Sequence, residues 1–308
     1  MATTLIDWAD VVWNPITGCS KISPGCDHCY AERMAKRLAG RAGYRQDDPF
    51  KVTFHNGDKL YLPVSWKTPR RVFVNSMGDL FHDDVKDYWI DDVLDIIIHY
   101  PRHTFMVLTK RPARMRQHMN RLYEEGWIRA KDGQIEEHHE PIPNLQLGVT
   151  VEGPDQMWRV GQLLATRAAL RFVSGEPLLG PLDFSVARLP VGATCHPFKV
   201  EEGHYPKSGW VGPLRWVIVG GETGPGARPM HPDWVRFIRD QCQAAGVPFF
   251  FKGWGDRIPG SQLLDGHRHE LSKTALKSPI SGEGGPYYRL FSKWTGDWLD
   301  RRQYHQFP

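Results

Sequence analysis

From Arg71 onward the chain alternates short apolar runs with stretches of helical period, and this alternation restricts the fold more than any other feature. Arg71–Asn75, His103–Leu108, Leu145–Val151, Leu170–Val173, Arg215–Val219 and Val247–Phe251 read as strands, and Asp10–Trp13 as an earlier one. Between them, Tyr30 to Leu38 spaces Tyr30, Met34 and Leu38 four apart, and Val85, Trp89, Val93 and Ile97 share one side of a helix that Asp83 or Asp84 could cap. Pro112 opens a helix carrying Met115, Met119 and Leu122; Asp155 begins one with Trp158, Leu163 and Leu164; Pro232 opens one with Val235, Ile238, Cys242 and Ala245, stopped by Gly246. Strands alternating with amphipathic helices imply parallel β/α units closing as a full or partial TIM-like (β/α) barrel. At 308 residues and 41% hydrophobic, one domain over 1–255 suffices, with surface insertions at about 126–143 and 185–214, and 256–308 as a loop-rich extension packed on the barrel. Residues 46–69, with Asp47-Asp48-Pro49, Asn56-Gly57 and Pro63, read as loops with one short strand.

Three of the five cysteines, Cys19, Cys26 and Cys29, lie within eleven residues on the loop expected to follow the first strand. Cys19 and Cys26 each follow a glycine, and Cys26-Asp27-His28-Cys29 is a C-x-x-C pair, so several sulfurs can turn toward one point. A disulfide would leave one of the three unpaired, and the N-terminus lacks a secretory segment, which places the chain in a reducing cytoplasm. A structural zinc site takes four ligands, for which His28 or Cys195-His196 would have to supply the last. An iron–sulfur cluster on three thiolates keeps one iron open, and the local count favours it. Unmetallated reactive thiols are the third alternative.

Polar residues stand at or just past the predicted strand ends: Ser76 and Asp79, Thr109 to Arg111, Glu152, Ser174 and Glu176, Gly220 to Glu222, and Lys252. In a barrel these ends converge on one mouth, into which the cysteine loop also leads. Glu176 and Glu222 could accept hydrogen bonds from a ribose or an amine, and Lys110, Arg111 and Lys252 could neutralise a carboxylate or phosphate.

Gly18-Cys19 through Cys29-Tyr30, with Ala31-Glu32-Arg33, Asn75 to Phe81, Leu108 to Pro112, Ser174 to Leu179, Gly220 to Pro225 and Phe250 to Gly255, resembles a family of uncharacterised phage and bacterial three-cysteine-motif proteins. That family looks like a divergent branch of the radical S-adenosylmethionine superfamily. The resemblance implies a 4Fe–4S cluster on Cys19, Cys26 and Cys29, whose open iron chelates S-adenosylmethionine. Reductive cleavage of that cofactor would leave a radical that abstracts hydrogen from substrate. By their place at the strand ends, Ser76, Asp79, Glu152, Ser174, Gly220 and Gly221 are the candidate cofactor contacts and Lys110, Glu176, Glu222 and Lys252 the catalytic candidates. The commonest motif of the superfamily separates its first two cysteines by three residues; six separate Cys19 from Cys26. The superfamily's Gly-Gly-Glu usually follows the second strand, so its role is not carried over to Glu222, and Asp79 occupies the early position.

The expected partners are a one-electron reductant and a nucleic-acid or nucleotide substrate. The net charge of +4 and pI near 8.7 are compatible with a phosphate-bearing substrate, and Trp254 could stack on an extruded base. No apolar run reaches the roughly 18 residues of a membrane span, so no membrane partner is expected. The competing reading is a non-catalytic, metal-stabilised binding or regulatory protein. Cys242 reads as a buried small hydrophobe and Cys195 as incidental to its insertion.

Overall fold

A computed structural model describes residues 6–131, 134–205, 209–262, 280–282, 285–289, 298–300 and 302–308. Each predicted apolar run is a strand of one sheet: Val11–Trp13 (β1), Arg71–Val74 (β2), Thr104–Thr109 (β3), Leu145–Thr150 (β4), Leu170–Gly175 (β5), Trp216–Gly220 (β6) and Phe249–Gly253 (β7). All pairings are parallel and each strand lies beside its successor in the chain. The sheet curls into a half-barrel, so of the two barrel forms expected the partial one is found. Helices Tyr30–Arg37 (α1), Asp87–His99 (α2), Pro112–Glu125 (α3), Trp158–Leu164 (α4) and Pro232–Ala245 (α5) make the crossovers. Between β5 and β6 there is no helix among the described residues; two short hairpins, Ala187–Arg188 with Thr194–Cys195 and Gly203–Tyr205 with Gly209–Val211, occupy the connection.

Strand parity sorts the side chains. Val72, Val74, Phe105, Val107, Leu147, Val149, Val173, Val217, Val219, Phe249 and Phe251 join the helix residues Val93, Met115, Leu163 and Ile238 in the main core. The alternate positions Phe73, Met106, Leu108, Phe172, Trp216, Ile218 and Phe250 form a second core on the concave face, filled by Trp8, whose ring lies 4.6 Å from Phe73 and 6.3 Å from Trp216. Two residues further along that face stand Lys110 after Leu108, Ser174 after Phe172, Gly220 after Ile218 and Lys252 after Phe250. The concave face therefore runs from aromatic at its amino end to polar at its carboxyl end.

Several local expectations are corrected. α2 starts at Asp87 with Lys86 at its N-cap and no side-chain cap, because Asp87 already supplies the favourable first-turn charge and pairs with Arg114; Asp83 and Asp84 precede it. Within 126–143 the chain forms a β-hairpin rather than irregular loop, Trp127–Lys131 with Gln134–His138, in which Trp127 buries and stacks on His138 at 4.4 Å; residues 132–133 lie outside the described residues. Trp254 is fully buried, edge-on to Phe251 at 5.0 Å, which removes it as a base-stacking platform. Trp158 is half exposed at the start of α4, while Met115, Met119 and Cys242 are core residues as expected.

Of the extension, Tyr304 to Gln306 runs antiparallel along the free edge of β7. Phe251 N donates to Tyr304 O (2.6 Å), Gln306 N to Phe249 O (3.3 Å), and His305 stacks on Phe250 at 4.8 Å. Residues 263–279, 283–284, 290–297 and 301 of the extension lie outside the described residues. Among the described residues no helix is long and apolar enough to cross a membrane.

Candidate functional site

The cysteine loop leaves the carboxyl end of β1 and is pinned before its first sulfur. Ile16–Thr17 pairs antiparallel with Thr53–Phe54, Gly18 N donates to Met77 O (2.9 Å) and Cys19 N to Phe50 O (3.1 Å). Gly18 has φ +89°, and a Cβ there would lie 2.2 Å from Lys51 O, so no other residue fits this crossing. The loop then makes a 3-10 turn over Pro24–Cys26, and Cys29 caps α1. All five cysteines are free thiols, and the three of the loop are half-buried.

Two consecutive cations from the end of β3 meet two of these sulfurs. Lys110 Nζ donates to Cys26 Sγ (3.4 Å) and Arg111 Nη1 to Cys19 Sγ (3.4 Å). Each cation is held from below. Lys110 forms an ion pair with Glu152, which also accepts from Ser23 Oγ (2.6 Å) and Arg159 Nη1 (2.9 Å). Arg111 bonds Asp79 (3.1 Å) and Ser20 Oγ (2.8 Å), and Asp79 further accepts from Thr109 Oγ1 (2.6 Å), Lys110 N (3.1 Å) and Phe81 N (3.0 Å). Burial raises the Glu152 carboxyl, but Lys110 and Arg159 outweigh it and hold the group ionised below its ordinary range. The same contest separates the thiols. Burial lifts Cys19 to about 11, with Asp79 adding to it despite Arg111; at Cys26 burial is outweighed by Lys110 and by hydrogen bonds from Ile22 and Ser23, and the thiol is lowered.

On the other side the loop meets the turn after β6. Glu222, nearly buried, accepts from Arg228 N (2.8 Å), Nε (2.9 Å) and Nη2 (2.5 Å) and bonds His28 Nδ1 (3.0 Å). Arg228 also reaches Pro24 O (2.8 Å) and Asp27 (3.3 Å). Burial raises Glu222, but the Arg228 and His28 hydrogen bonds prevail and lower it. Three cations, Lys110 and Arg111 from the end of β3 and Arg228 from the turn after β6, thus clamp the loop between them.

The structure brings Lys110, Asp79, Glu152 and Glu222 to the cysteine loop or to the groups that hold it. Glu176 and Lys252 pair with each other across the mouth, from β5 and β7. A Cβ on Gly220 would lie 3.0 Å from Glu176 Cγ, and one on Gly221 2.0 Å from Trp254 O, so both glycines serve close packing. Ser76 bonds Asn14 Oδ1 (3.2 Å), which steadies the turn after β2. Ser174 Oγ is fully buried with no hydrogen-bond partner among the described residues. His28 turns to Glu222, and Cys195 sits in the hairpin with Ala187, its thiol raised by burial.

Sequence reasoning missed Ser23, Arg159, Arg228 and the His28–Glu222 contact. Arg159 carried a signal: it lies four residues before Leu163 on the buried side of α4, where an arginine needs a buried partner. Arg228 carried none, since the turn through Gly224 and Gly226 alone returns it to Glu222. Among the described residues no three His, Cys, Asp or Glu side chains are arranged to hold a metal ion as they stand.

These features define a β/α half-barrel protein with a three-thiol loop clamped over the carboxyl end of its parallel sheet. A sequence profile described as a protein of unknown function (DUF5131) matches residues 3–308, and the chain belongs to that family. No curated protein and no solved structure matches it.

Proposed function

We propose that the chain is an iron–sulfur enzyme of the radical S-adenosylmethionine type, with Cys19, Cys26 and Cys29 as the ligands of a 4Fe–4S cluster, acting on a nucleic-acid base or nucleotide. The observation that carries this reading is the pairing of loop sulfurs with cations: Lys110 on Cys26 and Arg111 on Cys19 would offset the negative charge of thiolate ligands. The donor set suits three-thiolate ligation better than zinc. His28 bonds Glu222 through Nδ1 and lays its Nε2 edge against Gly226, and Cys195 sits in a separate hairpin, so among the described residues no fourth protein ligand faces the three sulfurs. Loading requires the loop to close further on the metal.

When bound, such a cluster supplies one-electron reduction of S-adenosylmethionine, with the electron coming from an external reductant. The chain's residues orient and shield. Asp79 and Glu152 fix the two cations, the aromatic concave core under Trp8 closes the amino end of the mouth, and the Ser174 hydroxyl offers an unused hydrogen bond. Glu176 and Lys252 present a carboxylate and an ammonium that can bind polar substrate groups.

The test is anaerobic reconstitution with iron and sulfide, followed by EPR of the dithionite-reduced protein with and without S-adenosylmethionine. The expected result is a 4Fe–4S signal that changes with the cofactor and is lost in Cys26→Ala. Stoichiometric zinc and no cluster would overturn it and make the chain a metal-stabilised binding or regulatory protein.

A further inference from the structure

A second concave site lies beside the cysteine loop. A cavity of about 460 Å³ is lined by Arg45, Lys51, Phe54, Asn56, Tyr88 and Trp89, among others. Phe54 and Trp89 stack at 5.2 Å with their planes 20° apart, and Tyr88, 61% exposed, stands edge-on to Trp89 at 6.1 Å. Its wall and the cysteine loop share backbone: Thr53–Phe54 pairs with Ile16–Thr17, and Phe50 O accepts from Cys19 N. A run of exposed cations leads from that loop to the cavity. α1 begins directly after Cys29 and ends with Lys36 and Arg37; Arg41 follows, and the turn closed by Tyr44 N on Arg41 O delivers Arg45 to the cavity rim. Lys36 is paired with Glu32 and Arg45 with Asp47, whereas Arg37, Arg41 and Lys51 have no carboxylate partner among the described residues.

Cations without acidic partners attract phosphates, and a cluster of flat, partly exposed rings beside them attracts bases. An acidic peptide would use the charges and leave the rings unexplained. We infer that this surface binds single-stranded nucleic acid, with one base against Tyr88 and Trp89, its phosphate at Lys51, and the neighbouring phosphates along Arg41 and Arg37 toward the cysteine loop. It deepens the substrate half of the function proposed above and rests on that reading for its purpose. The adjoining backbone makes the coupling direct, since a strand seated here is carried past the start of the three-thiol loop.

The experiment is fluorescence anisotropy of a labelled single-stranded oligonucleotide against the full chain, before and after iron–sulfide reconstitution, at two salt concentrations. Tyr88→Ala and Lys51→Met change exposed side chains, and circular dichroism melts check that both variants keep the fold. Tyr88→Ala is expected to weaken binding about tenfold. Lys51→Met is expected to weaken it and to reduce the logarithmic salt slope by about one. Phe237→Ala, an exposed ring on α5, should bind like the unaltered chain. Equal binding by all variants, or none by the unaltered chain at low salt, overturns the site. Competition by polyglutamate as effective as by oligonucleotide overturns it in favour of an acidic-peptide surface. Loss of oligonucleotide binding with the EPR response intact removes this site alone, whereas binding retained by protein that assembles no cluster removes only the cluster reading.

Discussion

Gly25 lies where the cysteine loop presses on the ion pair beneath it. A Cβ there would fall 2.6 Å from Glu152 Cγ and 2.9 Å from Lys110 Nζ. Glu152 is 1% exposed and held by three donors, so it cannot yield, and the loop must. The glycine before Cys26 is thus explained by close approach as well as by the flexibility its sequence suggests. Gly25→Ala is expected to cost about 1–3 kcal/mol, the usual range for overpacking, and to lower the iron retained per chain after reconstitution. Thermal denaturation and iron analysis measure the two effects. An unchanged melting temperature together with unchanged iron content would show that the loop is not seated on Glu152.

At the scale of elements, the edge of β7 is the exposed weakness. Phe249, Phe250 and Phe251 would present an apolar edge strand if Tyr304 to Gln306 did not cover it. Deleting residues 302–308 removes those backbone bonds, the Gln306 Oε1 contact to Phe249 N (2.9 Å) and the Trp216 Nε1 bond to Gln306 O (2.9 Å). Four lost bonds at about 1 kcal/mol each suggest a loss of about 2–4 kcal/mol, with aggregation from the bared edge. Melting and light scattering would report both; an unchanged melting temperature in a monodisperse sample would contradict it. This cover was not legible in the sequence, because Tyr304 to Gln306 has no strand pattern and meets β7 across some fifty residues. The strands were legible, since parity writes itself into runs such as Phe105 to Leu108. So were the positions of Lys110, Ser174 and Lys252, each two residues beyond an apolar concave neighbour. One short strand was legible within 46–69, but the cavity wall it builds was hidden, because a two-residue strand gains its partner only when Ile16–Thr17 arrives. Arg228 was hidden for the same reason: its partner is set by a turn.

For the molecule as a whole, four histidines are folded into places that favour the neutral ring. His55 bonds Thr17 Oγ1 (2.9 Å), His82 bonds Ser20 Oγ (2.7 Å), His103 lies between Trp66 and Phe105, and His118 bonds Asp91 (2.9 Å). Burial lowers all four below the ordinary 6.5, and His55, next to Lys59, falls to about 4. The unfolded chain therefore takes up protons below about 6.5 that the folded chain refuses until the pH is lower. Stability must fall as pH drops from 6.5 toward 4, in advance of the carboxylates Glu152 and Glu222, whose contribution is lost only once the unfolded chain's glutamates take up protons, from the ordinary 4.5 downward. A full pH unit corresponds to about 1.4 kcal/mol, and discounting the half-buried His55 for solvent screening leaves about 1–2 kcal/mol from that ring. Because His55 and His82 bond Thr17 and Ser20 on either side of Cys19, acid should loosen the cysteine loop along with the fold. Melting temperatures from pH 7.5 to 4.5 are expected to decline most steeply below 6.5, and His55→Gln to flatten that decline. A profile level down to pH 5 would mean that these rings are hydrated and free to protonate in the folded chain.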